Sequence, residues 1–316
     1  MPINTTATMN AMNVQTTTTP GVSPLLIATL NRVLLEAGKE KNVFNQFGKQ
    51  VKVPKGRTKT ITFDKMEPLD VSTDSLQEGV TPKGDDLTIS QITATPKQYG
   101  HYIAVTDEFD FYKHDPSPEV LKKTKALGDQ YASTFDLLTL NELRKGTNIQ
   151  YAGGKESASA IASTDVMTVK EVMRAVRTLK ANKAEPVSGN DYVCIIDPYM
   201  AYDLMNDDRW QNVKDYDPKD MYNGEIGKLF GVRFVDTTQN LEVPGVTGAS
   251  GIALHTAFFF GKDAYGSTKP EGNVESINQP ATDPLHQVST TGWKGHHVAK
   301  ILTEGWMVQV YGAVSQ

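Results

Sequence analysis

Four side chains towards the C-terminal end of this 316-residue chain have the chemistry of metal ligands: Asp283, His286, His296 and His297. A bound ion needs its ligands to converge on one point. His296 and His297 are adjacent, and successive residues of a strand point to opposite faces, so the two rings diverge. The pair reads as satisfied or surface histidines, not as ligands to one ion. Cys194, the single cysteine, sits in the apolar run Tyr-Val-Cys-Ile-Ile. A buried thiol there behaves as a small hydrophobe, and one cysteine allows neither an internal disulfide nor a Cys-rich zinc site. A phosphate loop needs a glycine five residues before Gly-Lys and a serine or threonine after it. Gly154–Lys155 has Ile149 and Glu156 at those places, and Gly227–Lys228 has Tyr222 and Leu229. Ser250 comes nearest to a nucleophile elbow, but Ile252 stands where the second glycine belongs. No His-Glu-x-x-His pair occurs. The expectation is a protein with no catalytic residues, no cofactor and no metal.

The elements around these residues must therefore serve something other than chemistry. Hydrophobic content of 39% and charged content of 22% exclude full disorder and a coiled-coil rod. A net charge of −5 argues against a dedicated nucleic-acid binder, which carries a basic footprint. The best apolar run, Ile252 to Gly261, is interrupted by His255 and Thr256, so no transmembrane helix is expected. The length suggests about two domains.

Residues 1–20 hold seven threonines and no charge, which reads as a disordered tail or an arm that orders on a partner. Ser23 and Pro24 start a helix, with Leu26, Leu30, Val33, Leu34 and Ala37 on one face and Gly38 at its end. Residues 39–59 carry seven cations against Glu40 alone, a net of +6. Residues 64–88 carry seven carboxylates against Lys65 and Lys83, a net of −5. Strands at 58–63 and 87–95 flank this acidic stretch. With so few apolar residues it cannot build its own core, and a two-stranded ribbon is marginal in water. A connection this long is either a flexible loop or a segment laid on another molecule.

Ser117–Pro118–Glu119 opens a helix running to Arg144 or Lys145, about 40 Å long. Thr168-x-x-Glu171 predicts a capping box ahead of a helix burying Val169, Val172, Met173, Val176 and Leu179. Strands are expected at 98–106, 192–196, 230–236 and 253–260, and mostly β structure from 289 to 314. Helices and strands alternate without a fixed period, so the class is α+β.

Nine short motifs in order carry a resemblance: FGKQVKVPKG (47–56), EGVTP (78–82), ITATPKQYG (92–100), GTNIQYAGGK (146–155), VMRAVRTLK (172–180), AYDLMND (201–207), GEIGKLFGVRFV (224–235), FGKDAYG (260–266) and DPLHQVSTTGWK (283–294). Together they resemble the major capsid proteins of tailed bacteriophages, most closely the N-four-like family. The resemblance implies the Hong Kong-type capsid shell fold. Its parts would be an N-terminal arm (1–50), an extended β-hairpin loop (51–106), a peripheral domain with a spine helix (107–160), an axial domain (161–282) and a return to the peripheral sheet (283–316). It implies a subunit that assembles into hexamers and pentamers of an icosahedral head around double-stranded DNA, in the host cytoplasm. Implied partners are further copies of the chain, a separate scaffolding protein, a portal, possible decoration proteins and non-specifically contacted DNA, with no membrane. An encapsulin-like compartment holding protein cargo is the alternative. For inter-subunit contacts the expected residues are Leu26, Leu30 and Leu34 on the first helix, whose face buries against a neighbouring subunit or the chain's own peripheral domain, and Leu69, Val71 and Leu76 in the loop. Asp70 and Asp74 of the loop would face one of two basic surfaces, residues 39–59 or the helix side with Lys170, Arg174, Arg177 and Lys180.

Overall fold

The computed structural model describes residues 24–39, 42–53, 59–66, 73, 75, 79, 84, 86, 89–108, 119–211, 225–281 and 283–315. Helix α1 (Pro24–Lys39) leads into strand β1 (Lys49–Val51), the ribbon β2 (Ile61–Met66) and β3 (Ile89–Ala94), strand β4 (Lys97–Thr106) and the long helix α2 (Glu119–Leu143). Then come β5 (Ile149–Tyr151), α3 (Val169–Ala181), β6 (Tyr192–Ile196), α4 (Pro198–Met205) and the single turn α5 (Asp208–Gln211). The remainder is β: β7 (Glu225–Leu229), β8 (Val232–Asp236), β9 (Glu242–Thr247), β10 (Ala253–Phe260), β11 (Tyr265–Thr268), β12 (Val274–Gln279), β13 (Val288–His297), β14 (Ala299–Ile301) and β15 (Met307–Gly312).

Two sheets organise the chain. The larger has the order β5-β15-β10-β6-β8-β7, with β9 on the end of β10. Its central strands β6 and β10 are apolar on both faces, because both faces are covered. One face takes α3 and α4 through Val172, Leu179, Met200 and Leu204. The other takes the last turns of α2 and the segment 43–47, where Phe44 and Phe47 stand against Phe258 and Phe260 at centroid distances of 5.8 and 5.9 Å.

The smaller sheet is β12-β13-β4, antiparallel throughout. One of its faces lies on α2 through Trp293 and Val274, which meet Leu127, Tyr131 and Phe135. Helix α1 packs along α2. Close approach needs the bare backbone of Gly128, where a Cβ would sit 2.7 Å from the Leu34 carbonyl oxygen.

The ribbon β2–β3 buries Ile61 and Phe63 against Leu302 and Val298, so its base is anchored to the body. This matches the alternation expected of residues 58–63. The loop 51–106 is divided differently from expectation: 97–106 is not part of the ribbon but a full member of the smaller sheet, paired to β13 over its whole length. The return at 283–316 is also divided. Strand β13 joins the smaller sheet, but β15 lies between β5 and β10 in the larger one, because Val308 and Val310 are needed to fill its core.

The capping box at Thr168 does not form; Glu171 turns inward, and the Val169 amide donates instead to the Asp207 carboxylate at 3.1 Å. Met173 is exposed, since at about 100° per residue it falls beyond the edge of the arc formed by the buried positions 169, 172, 176 and 179. Strands β7 and β9 were missed because glycine and proline interrupt them, and each carries a register shift. Ser117 and the residues 1–20 lie outside the described residues.

Candidate assembly surfaces and buried polar sites

His296 and His297 both lie on β13, and they diverge as strand geometry requires. His297 is buried, stacked on Phe135 at 4.5 Å, with its Nε2 3.0 Å from the Thr139 hydroxyl and its Nδ1 2.9 Å from that of Thr268. Burial pulls its pKa down to about 4, so the ring is neutral near pH 7 and ties α2 to β11 as a hydrogen-bonded wedge. His286 bonds the Ala281 carbonyl through Nδ1 at 2.8 Å, while Asp283 accepts from the amides of Gln287 and Val288. Asp283, His286 and His297 are thus spent on local tasks of their own. Among the described residues no group of three or more His, Cys, Asp or Glu has the arrangement to hold a metal ion. Cys194 is fully buried in β6, and burial pushes its thiol pKa well up, the opposite of an activated nucleophile.

Two buried polar sites carried no motif in the sequence. Asp136, on α2, accepts from the Val43 amide at 2.8 Å and the Phe44 amide at 3.0 Å. Burial pushes its pKa up to about 7 against the lowering effect of those amides. The Tyr265 hydroxyl donates to the Phe44 carbonyl, and the Ser267 hydroxyl to Asn45. Together these bonds fasten the segment leading from α1 into the ribbon onto the body of the subunit. The second site is Asp197, which caps α4 by accepting from the Met200 amide at 3.0 Å and also pairs with His255 on β10. The cap follows from Asp-Pro at a helix start, a local pattern; the histidine partner, 58 residues on, carries no local signal.

Leu30 and Leu34 are buried in the chain's own interior, under α2, and are not available to a neighbouring subunit in this conformation. Of the two partners expected for this face, the chain's own body is the one that covers both residues. They lie on the side of α1 that packs along α2, and the Leu26 side chain lies outside the described residues. Arg174 is likewise occupied, donating to Glu171 at 2.6 Å and to the Tyr151 carbonyl at 3.2 Å. Arg177 is exposed. Leu69, Asp70, Val71, Asp74 and Leu76 lie outside the described residues.

Exposed apolar surface collects in two places. On the outer face of the smaller sheet, Tyr102, Gly292 and Ile277 face one another across three strands and floor a cleft of about 510 Å³. On the larger sheet's helical side, Tyr199, Tyr202 and Met205 line the solvent edge of α4. Scattered exposed hydrophobes are ordinary, but aligned ones mark interaction surfaces. No helix among the described residues is long and apolar enough to cross a membrane.

With that geometry in view, the comparisons with known proteins are informative. A family model described as phage capsid protein matches residues 90–308. The fold is similar to the capsid of Ralstonia phage GP4, with a TM-score of 0.66 at 16% identity over 82% of this chain and 84% of that one. It is also similar to the head structure of Helicobacter pylori bacteriophage KHP40, with a TM-score of 0.64 at 11% identity over 100% of this chain and 98% of that one. A virus-like particle from Pyrococcus furiosus gives a TM-score of 0.53 at 10% identity over 90% and 99%. No curated protein matches the chain at a significant level.

Proposed function

We propose, from the premise that this chain belongs to the phage capsid protein family and is a major capsid subunit, that its acidic 64–88 segment makes the shell's inter-subunit contacts and that the subunit itself catalyses nothing. The observation that carries the reading is the ribbon β2–β3. Its base is buried by the body through Ile61 and Phe63, while the chain between the strands has too little apolar matter to fold on itself. Such a segment gains stability only by burying apolar surface on another molecule. Many weak contacts per subunit then sum to a stable shell.

The shell would enclose double-stranded DNA, contact it without sequence preference, and be built on a separate scaffolding protein in the host cytoplasm. Electron microscopy of the overexpressed full chain, with and without a co-expressed scaffolding protein, tests this. Closed shells of uniform diameter are expected. A chain that stays monomeric in both conditions overturns the reading, and particles filled with protein cargo in place of nucleic acid would favour an encapsulin-like compartment.

Within the acidic segment, apolar contact should supply affinity and charge should supply rate and register, since exposed ion pairs are worth only about 0.2–1 kcal/mol each. Leu69→Ala with Leu76→Ala is therefore expected to lower the melting temperature of finished shells more than Asp70→Asn with Asp74→Asn. The charge pair should chiefly slow assembly, and the difference from wild type should shrink near 1 M salt, where the Debye length is about 3 Å. Light scattering across salt and thermal melting separate the two. Charge variants that melt far earlier yet assemble at the normal rate would sink the assignment.

A further inference from the structure

The exposed side of helix α3, one of the basic surfaces weighed above for the loop carboxylates, is a feature that the subunit's own fold does not use. Lys170, Arg177 and Lys180 are exposed there, with Lys183 just beyond the helix end. Among the described residues none of the four has a carboxylate within ion-pair distance. The helix contains one acidic residue, Glu171, and the fold removes it from the surface: it is 2% exposed, neutralised by Arg174 and bonded to Gln150 at 2.9 Å. What remains outside is a stripe of one sign, about 15 Å long from Lys170 to Lys180 at 1.5 Å per residue, on a chain whose net charge is −5.

Helix stability does not account for the stripe. Lys180 in the last turn suits the macrodipole, but Lys170 in the first turn opposes it, where an acidic residue is the favoured choice. The apolar residues of α3 are already used against the larger sheet, so the cations are free to face outward. Their spacing suits a polyanion, because a DNA duplex presents about one phosphate charge per 1.7 Å of axis. Arg177 and the lysines reach phosphates as point charges and make no demand on base sequence.

We propose that this face of α3 binds the phosphate backbone of duplex DNA. The proposal rests on the shell reading, which supplies the DNA, and it requires α3 to face the shell's interior. It also reconciles an acidic subunit with a DNA-filled interior. Overall repulsion keeps the polymer from sticking to the wall at large, and one cationic stripe per subunit gives it a regular place to rest.

The test compares the unassembled full-chain wild type with Lys170→Gln/Arg177→Gln/Lys180→Gln. The control, Lys145→Gln/Lys262→Gln/Lys269→Gln, loses the same charge from lysines that are already ion-paired. Binding to a short labelled DNA duplex of mixed sequence is read by anisotropy between about 50 and 200 mM salt, and shell formation by electron microscopy. The α3 variant is expected to form shells, bind DNA more weakly, and flatten the slope of log K against log salt by about 0.9 per cation removed. The control should keep the wild-type slope. Equal slopes in both variants, or no DNA binding by the wild type, overturn the proposal. So does an α3 variant that fails to assemble yet binds DNA normally, which would give this face to the acidic segment of another copy. Failure of the wild type to form shells counts against the capsid reading alone, since the DNA measurement needs no shell.

Discussion

Replacing Phe135 with alanine is expected to destabilise the isolated subunit by about 3–5 kcal/mol, the cost typical of emptying a large buried aromatic site. The position justifies the upper part of that range. Phe135 is fully buried and stands edge-on to Tyr131 and Trp293, at 5.6 and 5.8 Å, with His297 stacked on its remaining face. Four elements meet at this ring: α2, which carries it; β13, through Trp293 and His297; α1, through Leu34; and β12, through Val274. A cavity here cannot be filled by the shift of one neighbour, because each is pinned elsewhere; the Trp293 indole, for instance, donates to Gln130 at 3.2 Å. Chemical denaturation of the unassembled subunit checks the figure. A loss below about 1 kcal/mol would mean that α1 and the smaller sheet collapse freely onto α2.

The second large effect is in the dependence of stability on pH, and it involves two groups of opposite sign. Asp136 has its folded pKa raised from 3.8 to about 7. The native state therefore holds this proton more tightly than the unfolded chain. Its contribution is most favourable below about pH 4 and is lost as pH rises to 7, on the order of 4 kcal/mol in total. His297 has its folded pKa lowered from 6.5 to about 4. Its contribution is fully present above pH 6.5 and is lost as pH falls through 4, on the order of 3 kcal/mol. Across the same window the two slopes oppose and largely cancel.

Separating them should expose each. Asp136→Asn removes the acidic group while keeping a side-chain oxygen for one of the two amides, a loss that does not vary with pH, so this variant should lose stability steeply from pH 7 to 4. His297→Gln keeps hydrogen-bonding groups between Thr139 and Thr268 and removes the titration, so it should gain stability over the same change. Denaturant unfolding at pH 4, 5.5 and 7 distinguishes the three proteins. Parallel profiles for wild type and both variants would show that neither group titrates in this range.

The pattern of what the sequence disclosed follows from how local each signal is. Helix α2 was legible because Leu127, Tyr131 and Phe135 repeat at four-residue intervals, and β6 and β10 because their apolar runs are short and bounded. The division of the last thirty residues between two sheets was not legible. Strands β13 and β15 have similar alternation, and only their partners, β4 and β10, distinguish them. The polar sites show the same limit. Asp136 resembles any surface carboxylate of a long helix until the amides of Val43 and Phe44, more than 90 residues away, are brought to it. The face of α1 was read correctly as apolar, but an apolar face does not say whether it is covered by its own chain or by a neighbour's. Gly128 decides that here, by letting α2 come close enough to cover it.

The place of β15 also bears on timing. Strand β15 occupies an interior place in the larger sheet, one strand in from its edge, bonded in parallel to β5 on one side and antiparallel to β10 on the other. On a ribosome, every other strand of that sheet has been made while the slot between β5 and β10 stands vacant. Long-range pairings of this kind close late, because the loop entropy is lost before the contacts form. The sheet therefore closes only after β15 has emerged and inserted between its two neighbours. A copy that lacks β15 keeps the facing edges of β5 and β10 unpaired. Assembly that needs a finished sheet thereby discriminates against copies that have not yet closed it.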